Sequence, residues 1–191
     1  MKKITNAFLT KHKACQSVVR FAAENKIIGL PADQFISKLM DISRFDWANW
    51  LIVRLMNKKQ KVMYAVFAAE QVINIFEKKY PNDDRPRKAI IAAKNYLKTP
   101  NSKTKKAAAA AAAATDDAYA YADADAAAAA YAAAYAAADA YAAYAADAAA
   151  YAAYAAAYAL RKKIINYGLT LINDYFEDAK QLRDVTKGGD E

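Results

Sequence analysis

With 191 residues, one cysteine, four glycines and four prolines, the chain can close no internal disulfide. It also holds too few turn formers for an all-β fold, which needs a turn about every 8–12 residues. The net charge of +8 is unevenly placed: residues 1–106 hold 22 Lys or Arg against 8 acids, residues 107–160 hold six Asp and no base, and residues 161–191 carry six of each sign. The aspartates recurring through the alanine-rich part exclude a membrane span there, at roughly 2.5–3.5 kcal/mol each at a bilayer centre.

In chain order, the apolar positions Phe8, Cys15, Val18, Val19, Ala22 and Ala23 share one side at helical spacing and predict a first helix from near Asn6 to Asn25. Cys15 reads as a small buried hydrophobe in that stripe, and His12, between Lys11 and Lys13, reads as solvated. Gly29 and Pro31 break the helix, and Pro31 suits the first turn of the next, PADQFISKLMDI. Ser43 is the expected cap of a third helix, RFDWANWLIVRLMN, and Asn57 marks a corner. A fourth helix, KVMYAVFAAEQVINIFEKKY, has a core stripe of Val62, Val66, Ala69, Val72, Ile73 and Phe76. After the loop Pro81–Asp84, Asp84 can cap a fifth helix, RPRKAIIAAKNYLK, with Pro86 in its first turn.

Residues 107–160 are 37 Ala, nine Tyr, six Asp, one Thr and one Leu. Alanine is the strongest helix former and lets helix backbones approach closely. Thr115–Asp116–Asp117 is the expected break. Tyr141, Tyr144, Tyr151, Tyr154 and Tyr158 cover one face with Asp147, and Asp116, Tyr119 and Asp123 form a second stripe. These rings suit core filling, or an aromatic platform including Tyr119, Tyr144 and Tyr151 for a base, nucleotide or peptide; bulky Tyr and charged Asp argue against an ice-binding face. The last part, LRKKIINYGLTLINDYFEDAKQLR, continues as amphipathic helix. The expected fold is an all-α bundle in one domain over 1–183, basic over 1–106 and Ala/Tyr/Asp-rich over 107–183, with 184–191 a disordered tail.

Catalytic chemistry finds little to use. There is a single histidine, no Gly-rich phosphate loop and no His/Cys spacing for zinc. We therefore expect no enzyme, cofactor or metal. Lys11, His12 and Lys13 interrupt any signal-peptide core, and the lone cysteine fits a reducing compartment, so the expected location is the cytoplasm. The residues marked for binding an anion or a partner are charged and aromatic. Trp50 and Arg54 are an i, i+4 pair in which the guanidinium can lie over the indole. Asp46 stands where a helix dipole favours a carboxylate. Arg85 and Arg87 occupy a first turn, where positive charge is disfavoured, so they need Asp46 or an aspartate of the alanine-rich tract, or else an external phosphate or acidic partner. Trp47 and Asp84 complete the set.

The order Cys15; Asp46, Trp47, Trp50, Leu51, Arg54 and Leu55; Asp84, Arg85, Pro86, Arg87, Ala89, Ile90, Ala92 and Ala93; and then the A/Y/D-rich tract resembles a family of bacterial and phage proteins called putative immunity proteins, which are grouped from toxin–immunity gene neighbourhoods. The resemblance runs from about Cys15 to Leu160. It implies binding and neutralising something, and names no mechanism. Three functions follow for comparison: inhibition of a protein toxin or defence effector, as immunity or phage counter-defence; sequestration of a small nucleotide-type anion by Arg54, Arg85 and Arg87 with Trp or Tyr stacking; and non-specific nucleic-acid binding, which the acidic tract disfavours. Self-association stays open, and no membrane partner is expected.

Overall fold

The computed structural model describes residues 1–119, 132 and 158–187, with side chains described over 1–115, 132 and 158–173. Among the described residues there are eight helices: α1 (Asn6–Lys11), α2 (Gln16–Glu24), α3 (Ala32–Asp41), α4 (Phe45–Leu55), α5 (Lys58–Lys79), α6 (Arg85–Lys98), α7 (Ser102–Tyr119) and α8 (Tyr158–Lys187). One isolated bridge, Lys3 to Pro31, joins the start of the chain to the α2–α3 connection, and the Ile4 N–H donates to the Leu30 carbonyl at 2.9 Å. The fold is all-α, as the composition implies.

The first helix divides where the sequence promised continuity. Lys13, Lys26 and Ser43 sit in the left-handed region, at φ 55°, 53° and 59°. Each follows the end of a helix and closes it by the same pair of bonds. The Lys13 N–H donates to the Thr10 carbonyl and the Ala14 N–H to Leu9; Lys26 and Ile27 repeat this onto Ala23 and Ala22, and Ser43 and Arg44 onto Met40 and Leu39. This is the Schellman closure, which usually places glycine at the left-handed residue because a Cβ there costs roughly 1–2 kcal/mol. With Lys and Ser in its place the sequence carries no stop signal. Residues Asn6 to Asn25 are therefore two helices, not one. Cys15 becomes the N-cap of α2 and is exposed, not buried in a stripe. Ser43 ends α3 instead of capping α4, whose N-cap is Arg44. Pro31 lies one place earlier than expected, at the N-cap of α3.

The α4–α5 corner is pinned twice. Asn57 and Gln60 form a reciprocal capping box, each side chain accepting from the other's backbone N–H, at 3.0 and 2.8 Å. The Gln60 side-chain amide also donates to the Leu171 carbonyl of α8. Packing then runs in sequence: α3 on α4, α4 and α5 on α8, α5 on α6, and α6 on α7. One buried cluster draws on all eight, with Tyr64, Phe35 and Phe76 its largest enclosed side chains. The expected α5 stripe, from Val62 to Phe76, is buried at every position.

No break occurs at Thr115–Asp116–Asp117; α7 runs through to Tyr119. Thr115 is fully buried, and its hydroxyl donates to the Ala111 carbonyl at 2.8 Å while standing 3.4 Å from the Arg85 carbonyl of α6. A threonine satisfied back along its own helix does not interrupt it. Ala108 and Ala112 on α7, with Ala89 and Ala93 on α6, are buried, so small residues meet where these two helices approach. Of the tyrosine faces, Tyr158 is exposed and lies edge-on to Phe45 at 5.3 Å. Tyr144 and Tyr151, and the side chain of Tyr119, lie outside the described residues. The backbone of α8 is helical to Lys187, beyond the expected boundary at 183.

Candidate functional site

The α4 face carries two cation–aromatic pairs. Arg44 is gripped by Asp46 through two bonds, 2.9 and 2.6 Å, and lies over the Trp47 ring at 3.4 Å. Phe21 of α2 meets the same indole at 5.9 Å. One turn on, the Arg54 guanidinium lies 4.1 Å over Trp50 and donates to the Trp50 carbonyl at 2.9 Å, the stacking that the i, i+4 spacing requires. The Arg44 hydrogen bonds hold the Asp46 carboxyl below its usual range against the opposing effect of burial, with backbone N–H groups at the helix start helping. Arg44 itself is held above its usual range, first by the same bonds.

His12 is half-buried and stacks on Phe8 at 4.3 Å, with Lys2 Nζ at 4.8 Å over the same ring. It is not a solvated residue on an open face, because α1 ends there and turns it onto Phe8. Burial, then the charges of Lys2, Lys11, Arg54 and Lys61, hold it below its ordinary value of 6.5. A base whose folded-state affinity for protons is depressed contributes stability that is fully present above the unfolded value and is lost as pH falls below it. Acidification from pH 7 through the histidine range should therefore lower the melting temperature of the wild type more than that of His12→Gln. Equal slopes for the two proteins would show that His12 does not report this field.

The second cluster is the α5–α6 corner. Arg85 is bound by Asp83 through 2.9 and 2.6 Å bonds, and Asp83 also accepts from the Arg85 backbone N–H at 3.1 Å. Asp84 stands at the N-cap of α6 but makes no side-chain cap. Instead it pairs with Lys88 at 2.9 Å. Arg87 reaches back to Glu77 on α5, with bonds of 2.7 and 2.6 Å, and Lys94 pairs with Glu70 on the same two helices. The partners expected within the chain were Asp46 or an aspartate of the alanine-rich tract. Asp46 instead pairs with Arg44, and the tract's aspartate side chains lie outside the described residues. Among the described residues Asp83 and Glu77 hold the two arginines. A cleft of about 590 Å³ opens here, lined by Lys79, Tyr80, Asp83, Asp84 and Arg85 among others.

The marked residues thus fall into two sets. Asp46, Trp47, Trp50 and Arg54 sit together on α4, and Asp84, Arg85 and Arg87 gather at the start of α6. Sequence reasoning missed Arg44, His12, Lys2 and Lys61; the i, i+3 spacing of Arg44 and Trp47 was the available signal. Among the described residues no group of three or more His, Cys, Asp or Glu is placed to hold a metal ion, and no helix is long and apolar enough to cross a membrane.

The fold and these surfaces define an all-helical protein whose charged and aromatic side chains are held by one another at its surface. The chain belongs to the Imm-5 like putative immunity protein family, whose model matches residues 52–183. That span takes in Arg54, Asp84, Arg85, Arg87 and the alanine-rich tract, and begins after Asp46, Trp47 and Trp50. No curated protein and no solved structure matches the chain.

Proposed function

We propose that this chain neutralises a protein toxin or defence effector by occupying its surface, with no chemistry of its own. The observation that carries the reading is the family match across residues 52–183. The physical support is a set of preorganised charges: Arg44, Arg54, Arg85 and Arg87 are each fixed by a ring, a carboxylate or a carbonyl. Side chains already ordered lose less entropy on binding, and charge complementary to a partner speeds encounter. The exposed free thiol of Cys15 suits a reducing compartment, and we place the protein in the cytoplasm.

Native capture on the tagged full chain, with mass spectrometry of proteins and small molecules, tests the reading. A stoichiometric protein partner is expected; a small molecule alone, or nothing, counts against it. The cleft beside Arg85 gives a second reading some footing, since about 590 Å³ is the size of a small-molecule site. Two carboxylates, Asp83 and Asp84, line it, which disfavours a phosphate. A saturating nucleotide at a hundredfold excess over its dissociation constant would stabilise the chain by about 2.7 kcal/mol; a flat thermal-shift panel removes that reading.

A further inference from the structure

Two ion pairs tie α5 to α6. Arg87 meets Glu77 through bonds of 2.7 and 2.6 Å, and Lys94 meets Glu70 two turns on. The two helices therefore run antiparallel, and Asn74 and Ile91 come side by side between the pairs. Arg87, Ile91, Lys94 and Lys98 share one side of α6 at i, i+4, i+7 and i+11. Ile91 is 48% exposed, and Asn74 is exposed beside it. One turn from Glu70, Phe67 stacks on Tyr167 of α8, with ring centroids 3.9 Å apart at 22°, and Lys163 Nζ lies 5.9 Å over the Phe67 ring. Both rings are half-buried. A lone exposed isoleucine is ordinary. One framed by two ordered ion pairs, next to a stacked aromatic pair, has the make-up of an interface centre inside a polar rim. Glu70 and Glu77 are the only carboxylates of α5 and α6, and both are already engaged. Arg87, Lys94, Lys98 and Lys163 leave this face net positive.

We propose that this face, from Arg87 and Ile91 across to Phe67 and Tyr167, seats an acidic protein surface, with a partner aliphatic side chain on Ile91 and partner carboxylates on Lys94, Lys98 and Lys163. The inference rests on the reading that the chain neutralises a protein, and it says which side makes the contact. Charge complementarity selects the occupant. A second copy of the chain would set the same positive charge against itself. A nucleic acid would meet the carboxylates of Glu70 and Glu77, and would find the Phe67 ring already stacked on Tyr167 with Lys163 over it, whereas strand binding relies on open ring faces. The cross-helix pairs fix the rim before a partner arrives, so little side-chain entropy is lost on contact.

The full chain is titrated with a fluorescein-labelled helical peptide of Glu and Ala whose leucines, at i, i+4 and i+7, form one stripe. Oligothymidylate, phosphatidylserine-containing vesicles and the same peptide with lysine in place of glutamate are compared. Ile91→Glu should weaken binding of the acidic peptide about tenfold, because it sets a carboxylate under the partner's apolar side chain. The new carboxylate stands i+4 from Arg87 and i−3 from Lys94, which supports the helix. Lys98→Gln/Lys163→Gln alters exposed lysines alone and should weaken binding about threefold. Ile42→Glu, at the end of α3 and 44% exposed in the wild type, should leave binding unchanged. No binding of the acidic peptide, equal losses in Ile91→Glu and Ile42→Glu, or equal binding of the lysine peptide each overturns the proposal. So does tighter binding of oligothymidylate or vesicles, or a wild-type dimer in sedimentation that Ile91→Glu converts to monomer, which gives the face to a second copy. If a captured partner is inhibited equally by wild type and Ile91→Glu, the face falls and the neutralising function stands. If no partner is captured, that function falls and the proposal with it.

Discussion

Gly168→Val should destabilise the chain by about 3 kcal/mol, lowering the melting temperature by about 6–12 °C for a protein of this size. Gly168 is where α8 crosses the core. A Cβ built there would stand 2.8 Å from Cε2 of Tyr64 and 2.9 Å from Cγ2 of Ile52. Neither neighbour has room to retreat: both are fully buried, and the Tyr64 hydroxyl is tied to Asn49. Alanine would recover about 1 kcal/mol of helix propensity, so Gly168→Ala should lose only about 1 kcal/mol net, and valine much more. Chemical denaturation of the three proteins checks the order. A valine variant as stable as wild type would mean that α8 does not pack against α4 and α5 as described.

Tyr64→Phe should cost about 1–3 kcal/mol although it removes a single oxygen. The Tyr64 hydroxyl donates to Oδ1 of Asn49, both groups are buried, and Nδ2 of Asn49 has no protein partner among the described residues. Burial holds the phenol well above its usual range, so it remains a donor at any ordinary pH. Without it the Asn49 amide is left unpaired at both ends. Asn49→Leu alone strands the phenol in the same way. The double variant removes both polar partners and should recover part of the loss, so the two single effects should exceed the double by about 1–2 kcal/mol. Strict additivity in a denaturation cycle would contradict the pairing.

Much of this architecture was readable from residue order. The α5 stripe, the corner at Asn57, the start of α6 at Asp84 and the Trp50–Arg54 stack follow from spacing alone, because they depend on neighbours within a turn or two. The misses came from two sources. Lys13, Lys26 and Ser43 close helices in a conformation that glycine normally signals, so α1 and α2 read as one. Thr115 looked like a helix breaker, but burial against α6 and a bond to Ala111 keep it helical. The candidate site divides similarly. The need of Arg85 and Arg87 for counter-charges was legible, but the carboxylates that meet them among the described residues were not: Asp83 lies in the loop just before Arg85, and Glu77 lies ten residues back from Arg87 across a turn. His12 looked solvated although its i, i+4 spacing from Phe8 was available as a signal; only the fold adds the charges of Lys2 and Lys61. The tyrosines at 144 and 151 lie outside the described residues, and their part in binding remains a proposal.

The central claim is that the chain acts by occupancy. Titrating purified chain into its captured partner, while measuring that partner's own activity, tests it most directly. The account predicts that activity is abolished at one equivalent of chain, with no dependence on incubation time. Progressive loss at substoichiometric chain would mean turnover, and full activity at any excess would mean that the partner is not neutralised; either result contradicts the account.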